Sequence, residues 1–248
     1  MPDVSLHFFQ PMEPIVKSRT IALTIAVIAL AGCATTSTPE VPLAKQAQAN
    51  IERIEGVLVI PQNRLNVTVE ASNPYAVGGV VGVLVAAAID TRLQADAEKA
   101  AIPILESSRD YNFRAALLDA STEELSKIDK VKFALPLSVK VDESESARKI
   151  AFDQSTASAL LFCNVDYRLE SGNLIVTAKA EMYPKVDSLK QFRIKPNGSN
   201  PLGNGNAIYR KVFTLAKESV TPATVNEKLS EAVADVARQL AADINQSL

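Results

Sequence analysis

Histidine is all but absent from this sequence of 248 residues: its one copy is His7. Tryptophan is missing altogether, and cysteine occurs twice, as Cys33 and Cys163. From residue 8 onward no imidazole is present to act as a general base or a zinc ligand, and no CxxC redox pair exists. Nucleophilic catalysis assisted by histidine is excluded with them. Charge of one sign is lacking too, since 26 Lys and Arg stand against 28 Asp and Glu, for a net charge of −2. No clustered Lys/Arg face with interleaved aromatics occurs, which excludes nucleic acid as a partner. Carboxylate pairs, a Ser/Lys pair and oxygen-ligated cations survive these exclusions.

Long apolar runs are scarce as well, and the first of them is informative. Residues 21–31 (IALTIAVIALA) are uncharged, follow Lys17 and Arg19, and lead into the small residues before Cys33. Basic flank, short apolar core and small-residue cleavage site are the order of a secretory signal. Eleven helical residues extend about 16 Å at 1.5 Å each, well short of the ~30 Å hydrocarbon layer. The run is therefore read as a leader and not as a stable span. LAGC, residues 30–33, resembles the lipobox of bacterial lipoproteins. That resemblance implies cleavage before Cys33, diacylglycerol on its thiol and an N-acyl chain on the new amino terminus, which together hold a protein firmly where one chain would not. Ala34, where enterobacterial-type lipoproteins kept at the inner membrane carry aspartate, implies outer-membrane sorting and a periplasmic location. Met12 opens a more typical leader than Met1 does, and is the expected biological start. The expected organisation is a signal peptide over 1–32, a lipidated tether over 33–50 and one α/β domain over 51–248.

Along that domain, residues 56–61 (GVLVIP) and 64–71 (RLNVTVEA) are strand-like and separated by Pro61-Gln-Asn, which predicts a hairpin. Residues 75–89 (YAVGGVVGVLVAAAI) place Gly78, Gly82 and Ala86 four residues apart, one smooth strip on a helix where a second backbone can approach closely. Three readings stay open for this run: a helix buried on the domain's own sheet, a homo-oligomer contact, or a membrane contact. Residues 95–128 predict helix, with breaks at Pro103 and at Asp110-Tyr-Asn. Residues 132–141 (KFALPLSVKV) alternate Phe133, Leu135, Leu137, Val139 and Val141 on one face, and Pro136 moves this strand to a sheet edge or a bulge. Residues 143–154 predict a short helix or turn.

Residues 157–169 and 174–183, joined by Glu170-Ser-Gly-Asn, form the clearest hairpin. One face carries Leu161, Cys163, Val165, Tyr167 and Leu169 beside Leu174, Val176, Ala178, Ala180 and Met182, which places Cys163 in the core as an inert thiol. The opposite face pairs Asn164, Asp166 and Arg168 with Thr177, Lys179 and Glu181 across the strands. A turn-rich loop, 195–206 (KPNGSNPLGNGN), lacks the GxxxxGK[ST] phosphate pattern and leads to a strand over 207–217. Val225, Leu229, Val233, Val236, Leu240 and Ile244 recur at helical spacing, with Thr224-Val-Asn-Glu as a capping box.

Catalytic motifs are thin. Ser146-Ala-Arg-Lys149 fits S-x-x-K without the SDN or KTG that accompany it in β-lactamases, and Asp142, Glu143 and Glu145 lack EF-hand spacing. No metal site and no cofactor beyond the lipid on Cys33 is expected. The fold class expected is α/β (α+β): a mixed or antiparallel sheet of four to six strands, packed by helices, with an amphipathic C-terminal helix. The segment ASALLFCNVDYRLESGNLIVTAKAEMYP, followed by Asn206-Ala-Ile-Tyr-Arg and that helix, resembles a class of uncharacterised Gram-negative lipoproteins. Over residues 57–248 it is similar in pattern to the TolB amino-terminal-like domain of envelope lipoproteins, including outer-membrane activators of peptidoglycan synthases and curli secretion components. The resemblance implies a non-enzymatic envelope domain that works by binding an unidentified protein, and it transfers no site residues.

Overall fold

Alternation of apolar and polar residues over 159–184 produces the centre of the molecule, a hairpin whose inward side chains are all buried. A computed structural model describes residues 39–68, 79–195 and 200–246, and for 79–90 the backbone alone. Cys33, the leader, Gly78 and residues 75–77 lie outside the described residues. The chain divides into two units, Met1–Thr38 and Pro39–Leu248, and all described residues belong to the second.

The fold is α+β. In chain order it comprises α1 (Lys45–Gln48), β1 (Arg53–Val59), β2 (Asn66–Thr68), α2 (Gly79–Ser107), α3 (Phe113–Ser126), β3 (Lys132–Lys140), α4 (Glu145–Gln154), β4 (Ala159–Glu170), β5 (Asn173–Pro184), α5 (Asp187–Lys190), β6 (Tyr209–Lys217) and α6 (Val225–Gln246). The strands make one six-stranded mixed sheet in the order β3-β1-β4-β5-β6, with β2 also on β4. β1 is parallel to β3 and β4, whereas β4, β5 and β6 are antiparallel neighbours.

The two crossovers of the parallel part run in opposite directions. The chain moves outward from β1 to β3 and then back past β1 to β4, and right-handed crossovers in opposite directions leave the sheet on opposite faces. Accordingly α3 and α6 bury Phe113, Leu117, Leu125, Leu229, Val233, Val236 and Leu240 in the main core with the inward faces of β4 and β5. Phe152 of α4 packs on the other face with Val57, Val59, Leu160, Phe162, Tyr183 and Leu202.

Several expectations are corrected. β1 and β2 do not form a hairpin. Both pair parallel to β4, β1 against 159–164 and β2 against 168–170, so one follows the other along the same edge. The break between them is closed by a side chain: Gln62 Oε1 accepts the Tyr167 N–H at 3.2 Å and its Nε2 donates to the Tyr167 carbonyl at 3.4 Å. A primary amide carries the donor and acceptor of a peptide group, so Gln62 stands in for the missing strand residue. Pro103 does not break the helix; α2 runs through it, at an exposed position where solvent can take up the freed carbonyl. Residues 41–47, expected within a tether, pack on the domain instead: Leu43 and Ala47 are buried in the core and Val41 bridges Arg210 on β6. In β3, an edge strand as Pro136 required, the register shifts opposite Glu55 and Val57, which leaves Leu135 exposed while Leu137 is buried. The charges on the outer face of β4 pair along the strand instead of across it, Arg168 reaching Asp166 at 3.0 Å and Glu170 at 2.9 Å. Thr224 takes the Thr221 N–H at 3.1 Å at the start of α6, in place of the reciprocal capping box.

Candidate interaction surface on helix α2

Helix α2 spans 29 residues, about 43 Å at 1.5 Å per residue. Helices of this length in globular proteins gain most of their stability from burying an apolar stripe. Of the described side chains on α2, Thr91–Ser107, only Ala101 is buried. Ile104 and Leu105 pack partly against the main core. Among the described residues, polar contacts fasten the helix: Gln94 Nε2 donates to the Val67 carbonyl of β2 at 2.8 Å, and Asn226 Nδ2 of α6 donates to the Ser107 carbonyl at 3.1 Å.

Large apolar side chains are left outward. Leu93 is 45% exposed and Ile102 48% exposed. Leu93 borders a groove of about 510 Å³ between α2, β2 and the tip of the β4–β5 hairpin, lined chiefly by Val67, Ala97, Ala101, Ile104 and Leu169. Thr68 Oγ1 is buried beside it and has no hydrogen-bond partner among the described residues. Ile102 faces a second depression of about 690 Å³ on the opposite flank, with Asn66, Ala95, Lys99 and Leu105. Small alanines between large aliphatics let another helix approach the axis closely, the ridge-and-groove condition for helix packing. Among the described residues no helix is long and apolar enough to cross a membrane.

Of the residues singled out from the sequence, Gly82 and Ala86 lie on the backbone of α2, upstream of Leu93 on the same helix, while Gly78 and Cys33 lie outside the described residues. Cys163 is buried, and desolvation pushes its thiol up to about 12, so it carries no nucleophilic role. Ser146 and Lys149 are not brought together: Ser146 Oγ meets Ser144 Oγ at 3.0 Å, and Lys149 pairs with Asp153 at 2.5 Å. Among the described residues no group of His, Cys, Asp and Glu is arranged to hold a metal. Sequence reasoning missed the exposed pair on α2. The signal for Leu93 was available in Leu93, Ala97, Ala101 and Ile104, an apolar stripe at helical spacing that the surrounding charges made to look like an ordinary surface; Ile102 lies outside that stripe.

No known protein family matches this chain, and no curated protein does. Among solved structures it is similar to an uncharacterized protein at 10% identity and a TM-score of 0.35, over 83% of this chain and 96% of that one. Protein XCC0632 from Xanthomonas campestris, of family DUF330, matches at 11% identity and a TM-score of 0.36, over 84% and 91%. The PelC dodecamer from Paraburkholderia phytofirmans matches at 11% identity and a TM-score of 0.29, over 82% and 91%. No residue role passes from these proteins to this chain.

Proposed function

We propose that this chain is a lipid-anchored protein of the cell envelope, held on the periplasmic face of the outer membrane through Cys33, whose domain binds another protein and catalyses no reaction. The observation that supports the binding role is α2, with Leu93 exposed beside an apolar groove lined by Val67, Ala97, Ala101 and Ile104. Aliphatic side chains gathered on one element mark an interaction site, whereas singly scattered ones are ordinary surface. The partner fits as an envelope protein that presents an amphipathic helix, since the groove is apolar and lined by Ala97, Ala100 and Ala101. The leader and the LAGC lipobox supply the address.

In-cell crosslinking of the native chain through photoreactive residues at positions 93 and 102, followed by mass spectrometry of the crosslinked peptides, tests this reading. The expected result is one envelope protein captured at position 93, not at position 102 on the opposite flank, and lost in Cys33→Ala. Capture of nothing, or equal capture by the unlipidated variant, overturns it. A second reading is favoured by the continuity of α2 itself, which carries Gly82 and Ala86 on the same helix as Leu93: the helix packs against a second copy of the chain. Self-crosslinks alone, together with loss of oligomer in Gly78→Leu/Gly82→Leu by sedimentation velocity, distinguish this homo-oligomer from the adaptor.

A further inference from the structure

The outer strands of the sheet, β3 and β6, differ in how their free edges are protected. Unpaired main-chain groups on an edge strand are a template for another chain, and proteins blunt them with proline, charge or irregular pairing. β3 carries all three: Pro136, lysines at both ends (Lys132 and Lys140), and a shift of register against β1. β6 has none of them between Val212 and Ala216.

The direction of the main-chain groups on β6 is fixed by its first residues. Arg210 and Val41 exchange both N–H···O bonds across the free edge, at 2.8 and 2.9 Å. By the alternation of an antiparallel ladder, Val212, Thr214 and Ala216 also turn their N–H and C=O outward. The chain's own segment before Val41 does not extend this cover. Continued pairing would set Pro39 opposite Val212, and proline has no N–H to give. The Val212 N–H meets the Glu40 carboxylate instead, at 3.3 Å. Beyond it, the Val212 carbonyl and both main-chain groups of Thr214 and Ala216 have no hydrogen-bond partner among the described residues. The side chains of these three residues are exposed and uncharged.

We propose that this open edge pairs antiparallel with β6 of a second copy of the chain, about a twofold axis at Thr214. The edge is its own complement. In that register every outward N–H and C=O from Val212 to Ala216 finds a partner, about six main-chain bonds, with Val212 leaving Glu40 for a carbonyl. Val212 stands opposite the partner's Ala216, large against small, and Phe213 opposite the partner's Leu215, a favourable aromatic–aliphatic pair. Lys211 faces the partner's Lys217 only at the ends, and each lysine is already neutralised, Lys211 by Glu40 at 2.8 Å and Lys217 by Asp235 at 2.6 Å. A patch that pairs with itself closes as a twofold dimer. The inference rests on β6 alone and holds whatever binds α2.

Sedimentation velocity of the full chain in detergent at about 100 μM, a loading that populates even a small interface, tests it. The expected species is a dimer. Thr214→Lys sets two ammonium groups against each other at the axis and weakens the dimer at least about tenfold. Thr214→Pro does the same by removing an N–H that points away from β5, which leaves the β5–β6 ladder intact; thermal melting shows both variants folded. Disulfide trapping reads the geometry without either variant, because residues paired across the ladder lie about 5.5 Å apart, within disulfide reach. On oxidation Thr214→Cys gives a covalent dimer that neither the natural chain nor Lys149→Cys, at an exposed position on α4, gives. A monomer at this concentration, a dimer unchanged in folded Thr214→Lys and Thr214→Pro, or trapping at position 214 no greater than at 149 overturns the proposal.

Discussion

Glu181 shows how a single residue escapes a reading from pattern. Its place on the polar face of β5 predicts a half-exposed charge, yet it is 1% exposed and faces Arg210, itself 2% exposed, across the β5–β6 ladder. Arg210 Nε lies 2.9 Å away, Lys179 Nζ 3.2 Å and Arg148 Nη2 3.3 Å, and the Arg148 guanidinium also sits 4.7 Å from the centre of the Phe162 ring. Burial by itself raises the Glu181 carboxyl, but Lys179, Arg210 and Arg148 outweigh it and hold the group below its ordinary value of 4.5. A group lowered on folding adds stability that is fully present above its unfolded value and is lost as pH falls through the folded one. Denaturant midpoints measured from pH 7 downward should therefore fall below about pH 4.5, and less steeply in Glu181→Gln. Glu181→Leu strands Arg210 and should cost about 3–5 kcal/mol, whereas Glu181→Leu/Arg210→Met should come much closer to neutral. Urea titration of both variants checks this. Cys163 makes the opposite point, since its place in the alternation foretold its burial: DTNB should leave it unmodified in the native protein and label it once urea has unfolded the chain.

At the scale of elements, the β4–β5 hairpin and α6 are legible because short-range pattern and long-range packing agree. Ser171 and Gly172 take φ of 51° and 79°, the left-handed pair that a tight hairpin requires. Gly172→Val should destabilise the domain by about 1 kcal/mol or more, because β-branched residues resist that region; the shift in thermal midpoint measures it. β1 and β2 are legible as strands and illegible as partners. The same Pro61-Gln-Asn that looks like a hairpin turn is held straight, with the Arg114 guanidinium of α3 bonded to the Ile60 and Pro61 carbonyls, both at 3.0 Å, and Gln62 bonded to Tyr167. Both contacts span more than fifty residues of sequence. Gln62→Leu should leave the Tyr167 peptide unpaired and cost about 1–3 kcal/mol, read as a lower urea midpoint with unchanged slope.

For the whole molecule, α2 is a helix that turns most of its described side chains outward. Leu93→Asp/Ile102→Asp should change stability by no more than about 0.5 kcal/mol, as exposed substitutions do, while abolishing capture of the partner in cells. A matched loss of both folding and capture would instead place this helix in the domain's own core.

The sequence by itself determined the scarcity of histidine, the apolar faces of β4, β5 and α6, and the burial of Cys163. Each of these depends on residues close together in the chain, through composition or a fixed period of two or 3.6. Tertiary structure alone decided the partners of β1 and β2, the depth of the Glu181–Arg210 pair and the exposure of the described side chains of α2. In each of these, the environment of a residue is set by elements distant in sequence, and burial and pairing are properties of what lies opposite.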